Sequence, residues 1–376
     1  MDAHEKLGLL ADASRYDLAC ACGRRRPEEQ RRRSRDGTWL YPVSLPRGGT
    51  SVLLKTLVSN HCRNDCAYCP FRVGQDVPRV HLAPEETARL FLGYTRQFPG
   101  LGLFISSGVE VAPDSAMQRM IDTADLLRKK HGYRGYMHLK IIPGASDAAI
   151  EETLRLANTV SLNIETPGAD HLRELSSTKD FLHDVIDPLK KISRLTGRGM
   201  PLARVNVTTQ FVVGAAKESD AEIVRYTAAL YDRLHLGRVY FSAYQEPGED
   251  LPLFSDHPAD AVPDAGKGLM REHRLYQVDF LLRKYGFNGR EIPLTSGGML
   301  DLKRDPKQVW ADAHPEFFPI RLDRADRQTL LRVPGLGPIT VKRILQARRE
   351  GPLRSLDTLI SSPARRYRAQ PYLTKN

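Results

Sequence analysis

Residues 52–69 read VLLKTLVSNHCRNDCAYC, an apolar run of strand character (52–58) opening directly into a loop that carries Cys62, Cys66 and Cys69. The run is the first of six. LGLFISS (101–107), GYMHLKII (135–142), TVSLNI (159–164), VNVTTQFVV (205–213) and RVYFSAY (238–244) follow, separated by stretches with room for a helix. Apolar residues recur at helical spacing in those stretches: Met117, Met120, Ile121, Ala124 and Leu127 in one, Leu182, Val185, Leu189 and Ile192 in another. Ser219-x-x-Glu222 is a capping box, whose two side chains satisfy backbone N–H groups left unpaired at a helix start. Strands alternating with helices predict an α/β fold with a parallel sheet and right-handed helical crossovers. Periodicity does not say whether that sheet closes.

After Tyr244 comes a loop rich in Pro, Gly and Asp, then a helix near 268–285 ending at Gly286, then a second irregular stretch with Gly297, Gly298, Pro306, Pro315 and Pro319. Four segments result: an N-terminal extension (1–50) holding the arginine-dense RRRPEEQRRRSR (24–35), a core (51–300), a linker (301–320) and a C-terminal module (321–376). The 376 residues, 41% hydrophobic and 27% charged, suit a globular protein with a substantial core and argue against disorder or a fibre. No apolar run approaches the ~20 residues of a bilayer crossing, so no membrane is expected. The opening MDAHEKLGLLADASRYD mixes acids into its short apolar stretch, unlike a secretory leader, which predicts a cytoplasmic location. Five cysteines, an odd number, argue against a disulfide framework and for reduced thiols.

The net charge of +11 is concentrated at the ends. Residues 321–376 hold thirteen Lys or Arg against four Asp or Glu, residues 1–35 hold nine against six, and the middle is close to neutral. Such a distribution suits an attachment that binds a polyanion by releasing counterions, and equally a solvated basic surface.

Three thiolates within eight residues converge readily on one metal centre, and soft thiolates suit iron–sulfur clusters, zinc and copper(I). Structural zinc wants a fourth ligand; His61 is cramped against Cys62, and no second cysteine pair with zinc-ribbon spacing follows. Three cysteines without a fourth suit a cubane cluster with one iron open to an exogenous ligand. Cys20 and Cys22 form a separate C-x-C pair that is redox-active, ligating or free.

The CxxxCxxC spacing, with Tyr68 directly before the last cysteine, placed after the first strand of a six-fold βα series, resembles the radical S-adenosylmethionine (SAM) superfamily over roughly 51–300. The resemblance implies a partial (β/α)6 TIM-type barrel holding a [4Fe-4S] cluster at the carboxyl ends of its strands. It also implies that SAM chelates the open iron and, on receiving an electron from an external donor, is cleaved to methionine and a 5′-deoxyadenosyl radical that removes a hydrogen atom from substrate. Metal ligands would be Cys62, Cys66 and Cys69, with Tyr68 beside the cofactor. Family members usually carry a Gly-Gly-Glu-like turn after the second strand; the matching stretch is Ser106-Ser107-Gly108-Val109-Glu110, which makes Ser107 and Gly108 the expected backbone contacts. Asn163 and Glu165 alternate to one face and would reach the cofactor's ribose or carboxylate. The run 208–214 followed by Glu218 resembles the segment near the adenine, where Gly214 permits close approach. Lys140 either meets substrate or snorkels to the surface.

In the tail, residues 330–359 read LLRVPGLGPITVKRILQARREGPLRSLDTL: helix, tight turn Pro334-Gly335-Leu336-Gly337, then a helix opened by Pro338. Without a Cβ at Gly335 and Gly337, backbone N–H groups can approach a phosphate, and the helix dipole favours the negative charge. Lys342, Arg343, Arg348 and Arg349 add positive charge. The segment resembles the helix-hairpin-helix motif, which binds nucleic-acid backbones without reading bases, and implies a small all-α module. The whole chain resembles radical SAM proteins assigned to DNA modification or repair that pair the barrel with this motif. DNA, or structured RNA, is the partner the resemblance implies.

Overall fold

The computed structural model describes residues 1–14, 32–34, 37–44, 50–244, 265–351, 353 and 356–374. Cys20, Cys22 and most of the arginine-dense stretch lie outside them. The chain divides into two compact units, Met1–Glu218 with Leu230–Leu269, and Ser219–Ala229 with Met270–Asn376.

The first unit is built on one eight-stranded sheet whose spatial order equals its chain order. Strands β1 (Arg32–Arg33), β2 (Trp39–Ser44) and β3 (Thr50–Leu57) pair antiparallel. From β3 onward every pairing is parallel, through β4 (Gly102–Ser106), β5 (Met137–Lys140), β6 (Thr159–Ser161), β7 (Asn206–Val213) and β8 (Arg238–Ala243). All six expected strands are present, and the result is a curled half-barrel of the partial TIM type. The antiparallel pair at its start adds to the expected series. Helix α1 (Ala3–Ala13), capped by Asp2, lies against β3 with Leu7, Leu10 and Ala11 buried.

The crossovers are α2 (Pro84–Gln97), α3 (Pro113–Asp125), α4 (Asp147–Leu156), α5 (Ala169–Leu175) with α6 (Asp187–Leu195), and α7 (Asp220–Leu234), followed after β8 by α8 (Ala265–Tyr285). The Met117–Leu127 stripe is fully buried, as its spacing predicts. The second stripe needs a correction. Leu182 is exposed and Phe181 is buried, because residues 181–186 form a π-helical turn whose extra residue shifts the phase before Val185, Leu189 and Ile192 resume the buried face. Central strand β4 is buried along its whole length, as a sheet covered on both faces requires.

The second unit contains the capping box, with the Ser219 N–H donating to Glu222 Oε2 at 2.8 Å and the Glu222 N–H to Ser219 Oγ at 3.3 Å. Asp220, fully buried, accepts from Arg271 Nε at 2.7 Å and from the Leu300 N–H at 2.8 Å. Further on lie α9 (Pro306–Ala313), α10 (Arg327–Arg332), α11 (Pro338–Glu350), α12 (Leu356–Leu359) and α13 (Pro363–Ala369) around a core of Leu330, Leu331, Val333, Val341, Ile344 and Ile360. The module is helical but not wholly so: β9 (Ile320–Arg321) and β10 (Leu373–Thr374) form a short parallel pair.

Candidate active site

The loop after β3 carries the three cysteines and is held on two sides. The Gly108 N–H donates to the Ser59 carbonyl at 2.7 Å and the Arg63 N–H to the Val109 carbonyl at 2.7 Å, which lays the turn after β4 along the cysteine loop. The approach is so close that a Cβ on Gly108 would run into the His61 carbonyl oxygen. Gly108 and Ser107 therefore do meet the cysteine loop, but the Gly108 amide is committed to Ser59, and the Ser107 hydroxyl to the Gly108 carbonyl at 2.8 Å.

On the other side, Asp65 is clamped by residues 176–178. Its Oδ1 accepts from Ser176 Oγ at 2.5 Å and Thr178 Oγ1 at 2.9 Å; its Oδ2 accepts from the Ser177 N–H at 2.9 Å and Ser177 Oγ at 2.5 Å. Partial burial opposes the charge, yet these four donors hold the Asp65 carboxyl well below the usual carboxylate range.

The clamp places Lys179 against the cysteines. Its Nζ lies 3.3 Å from the Tyr68 hydroxyl, between Cys66 and Cys69 in sequence. Burial disfavours the ammonium, but Cys66, Glu165 and Cys69 outweigh it and hold the group above the usual lysine range. Burial, reinforced by Cys66 and Glu165, raises the Tyr68 phenol, and burial with the neighbouring sulfurs pushes the Cys69 thiol up to about 12.

Glu165 and Asn163 meet this group from the loop after β6. Both are buried, and Asn163 Nδ2 lies 3.3 Å from Glu165 Oε2. The Glu165 backbone is left-handed, φ 62°, and is fixed there by two bonds to β7: its N–H donates to the Gln210 carbonyl at 3.0 Å and its carbonyl accepts from the Val212 N–H at 2.8 Å. A non-glycine residue held in that region at the end of a barrel strand is strain of the kind that gathers at functional sites. Gly214 also has positive φ, 87°, with its N–H on Glu218 Oε1 at 2.7 Å.

The donor set fits a cubane. Among the described residues there is no fourth cysteine. The Val109 and Phe71 amides point at the Cys62 and Cys69 sulfurs at 3.5 and 3.4 Å, as hydrogen bonds to cluster thiolates do.

Sequence reasoning missed Lys179 and the Asp65 clamp. Their partners lie 111 to 113 residues apart, and only the hydroxyl-rich run Ser176-Ser177-Thr178 before Lys179 hinted at an anchor. Lys140 sits on β5, half-buried.

In the second unit, the turn between α10 and α11 has Gly335 at φ 82°, packed so closely on α13 that a Cβ would meet the Arg365 carbonyl. Gly337 is the N-cap of α11, with no side chain capping it. Lys342, Arg343 and Arg349 are exposed, as are Arg365, Tyr367 and Arg368 on α13. Arg348 is half-buried, with one guanidinium nitrogen on the Ala325 carbonyl at 2.6 Å, so it belongs to the module's structure rather than to that face. No helix among the described residues is long and apolar enough to cross a membrane.

Residues 56–229 match the family described as Radical SAM superfamily, whose enzymes use a [4Fe-4S] cluster and SAM. No curated protein matches the chain. Among solved structures it is similar to the FeFe-hydrogenase maturase HydG from Carboxydothermus hydrogenoformans (15% identity, TM-score 0.45, 59% of this chain and 51% of that one). It is similar too to methylornithine synthase PylB (15%, 0.45, 60% and 63%) and to Streptococcus suis SuiB bound to S-adenosylmethionine (14%, 0.44, 62% and 49%). The aligned part spans about half to just under two thirds of each of those chains.

Proposed function

We propose, from the premise that residues 56–229 form a radical SAM superfamily domain, that the protein is a radical SAM enzyme that modifies or repairs a nucleotide in DNA. The observation that carries the enzymatic half is the three-thiol loop bordered by Lys179 and Glu165, with no fourth thiol among the described residues. When bound, the cluster and SAM supply a 5′-deoxyadenosyl radical able to take a hydrogen atom from an unactivated position. Cys62, Cys66 and Cys69 hold the iron. The Val109 and Phe71 amides stabilise charge on the outer two sulfurs. Lys179 offers a cation to a carboxylate brought near the cysteines, and Asn163 and Glu165 offer a donor and an acceptor to ribose hydroxyls. Electrons come from an external donor.

The nucleic-acid half is supported by the glycine turn at an uncapped helix start and by the exposed cations and tyrosine of α11 and α13, which suit phosphate contacts and a base stack. The test is anaerobic reconstitution, reduction in the presence of SAM, and mass analysis of intact and damaged oligonucleotides. Release of 5′-deoxyadenosine with a mass change in the oligonucleotide is expected. Release without any oligonucleotide change, alongside turnover of a metabolite or peptide, would replace the substrate class; no release would remove the enzymatic reading. Replacing Lys342 and Arg343 by Gln should flatten the plot of log affinity against log salt by about 0.9 for each phosphate that is no longer neutralised, and an unchanged slope would take nucleic acid away from this face.

A further inference from the structure

We infer that His61, His81 and Glu110 form a binding site for a divalent transition-metal ion at the edge of the cysteine loop, separate from the thiolate centre and independent of the function proposed above. Each residue offers one ligand atom, and the three atoms lie within 4.8 Å of one another, the only such trio among the described residues. They come from three chain segments that backbone hydrogen bonds hold in fixed register. Ser59 bridges His81, the Asn60 N–H donates to the Val80 carbonyl at 3.2 Å, and Asn60 Oδ1 accepts from the Val80 N–H at 2.7 Å. Glu110 is carried by the turn fastened to Ser59 and Arg63. Binding therefore orders side chains only, on a backbone already set, which keeps the entropic cost low.

The carboxylate is already polarised for one-sided ligation. Glu110 Oε1 faces His61 Nδ1 at 4.0 Å, while Oε2 faces Arg119 Nη2 at 3.4 Å. A cation on Oε1 leaves Arg119 as donor to the other oxygen, an outer partner that orients a monodentate carboxylate while its own charge tempers affinity. The imidazole centroids are 6.0 Å apart and tilted by 56°, so both rings can turn a nitrogen to one ion. Two imidazoles and one carboxylate select zinc, ferrous iron or cobalt over magnesium and calcium, and the half-exposed setting leaves the remaining positions to water or an exogenous ligand. Although His61 precedes Cys62, its ring belongs to this group and not to the sulfurs.

The experiment titrates Co²⁺ anaerobically into the cluster-loaded protein after passage over a chelating resin, and counts cobalt against iron. In parallel, the variant C62A/C66A/C69A, free of cluster absorbance, is titrated and its cobalt bands recorded, with thermal melting as the check on folding. Expected are one Co²⁺ per chain in both proteins, bands of nitrogen and oxygen ligation without sulfur charge transfer, and at least tenfold weaker binding once His81→Ala is added to either. The inference is overturned if cluster-loaded protein binds no Co²⁺, if the folded triple variant binds none, or if His81→Ala leaves the affinity unchanged. Absence of a cluster would sink the radical SAM reading while leaving this result untouched.

Discussion

Replacing Lys307 by Met should abolish a pH dependence built into the second unit. Lys307, on α9, is buried; its Nζ donates to the Leu336 carbonyl in the glycine turn at 2.6 Å and sits 4.5 Å from the Tyr285 ring centroid. Burial, with Arg332 adding to it and Asp305 opposing it, pushes the amine down to about 7 from 10.5. The folded value lies below the unfolded one, so between about pH 7 and 10.5 the unfolded chain binds more protons. Stability must then rise with pH across that window, at a slope approaching 1.4 kcal/mol per unit, and the contribution vanishes below about 7, where both states are protonated. Methionine keeps the apolar stem and removes the titration, leaving the Leu336 carbonyl short of a donor at about 1 kcal/mol. Urea unfolding followed by the fluorescence of Trp310, which lies on the same helix, between pH 7 and 9.5 reads the difference. Wild type should gain on the variant by about two tenfold steps in the unfolding constant; parallel profiles would refute the burial argument. Other groups titrating in the window cancel in the comparison.

Asp65→Asn keeps one acceptor oxygen and loses the two hydrogen bonds at the other, about 1 kcal/mol each, so iron should leave the cluster to a chelator roughly tenfold faster or more, read as decay of visible absorbance. Equal decay would show that the clamp does not hold the loop. Gly108→Ala drives a methyl into the His61 carbonyl, and overpacking of that sort costs about 1–3 kcal/mol; melting should fall by several degrees and cluster loading with it, whereas Ser107→Ala should keep both. Lys179→Met removes a cation beside the three cysteines and should make a cluster reconstituted there harder to reduce in a potentiometric titration monitored by electron paramagnetic resonance, with Lys179→Arg restoring most of the change.

The six strands, the capping box and the cysteine loop were readable because each is written locally, in a period of two, a four-residue motif or an eight-residue spacing. The π-helical turn that exposes Leu182 was not, since one inserted residue changes the phase without changing composition. The antiparallel β1 and β2 escaped notice because they are short and carry arginines, a proline and little alternation. Glu165 was readable as a polar residue at a strand end, but its left-handed backbone comes from bonds to β7 that no local pattern announces. Lys179 was invisible for the same reason: its meaning lies in Tyr68, within the cysteine loop more than a hundred residues earlier.

Because each strand from β3 to β8 is laid beside the one made just before it, the sheet can grow in the order of synthesis, and no strand waits for a neighbour still to be translated. The cysteine loop breaks that rule. Its anchor, residues 176–178, emerges on the ribosome long after Cys69, so the thiols remain loosely tethered until then. A chain caught before this moment carries its three cysteines on an unformed loop, and one caught after it carries them on a loop already latched.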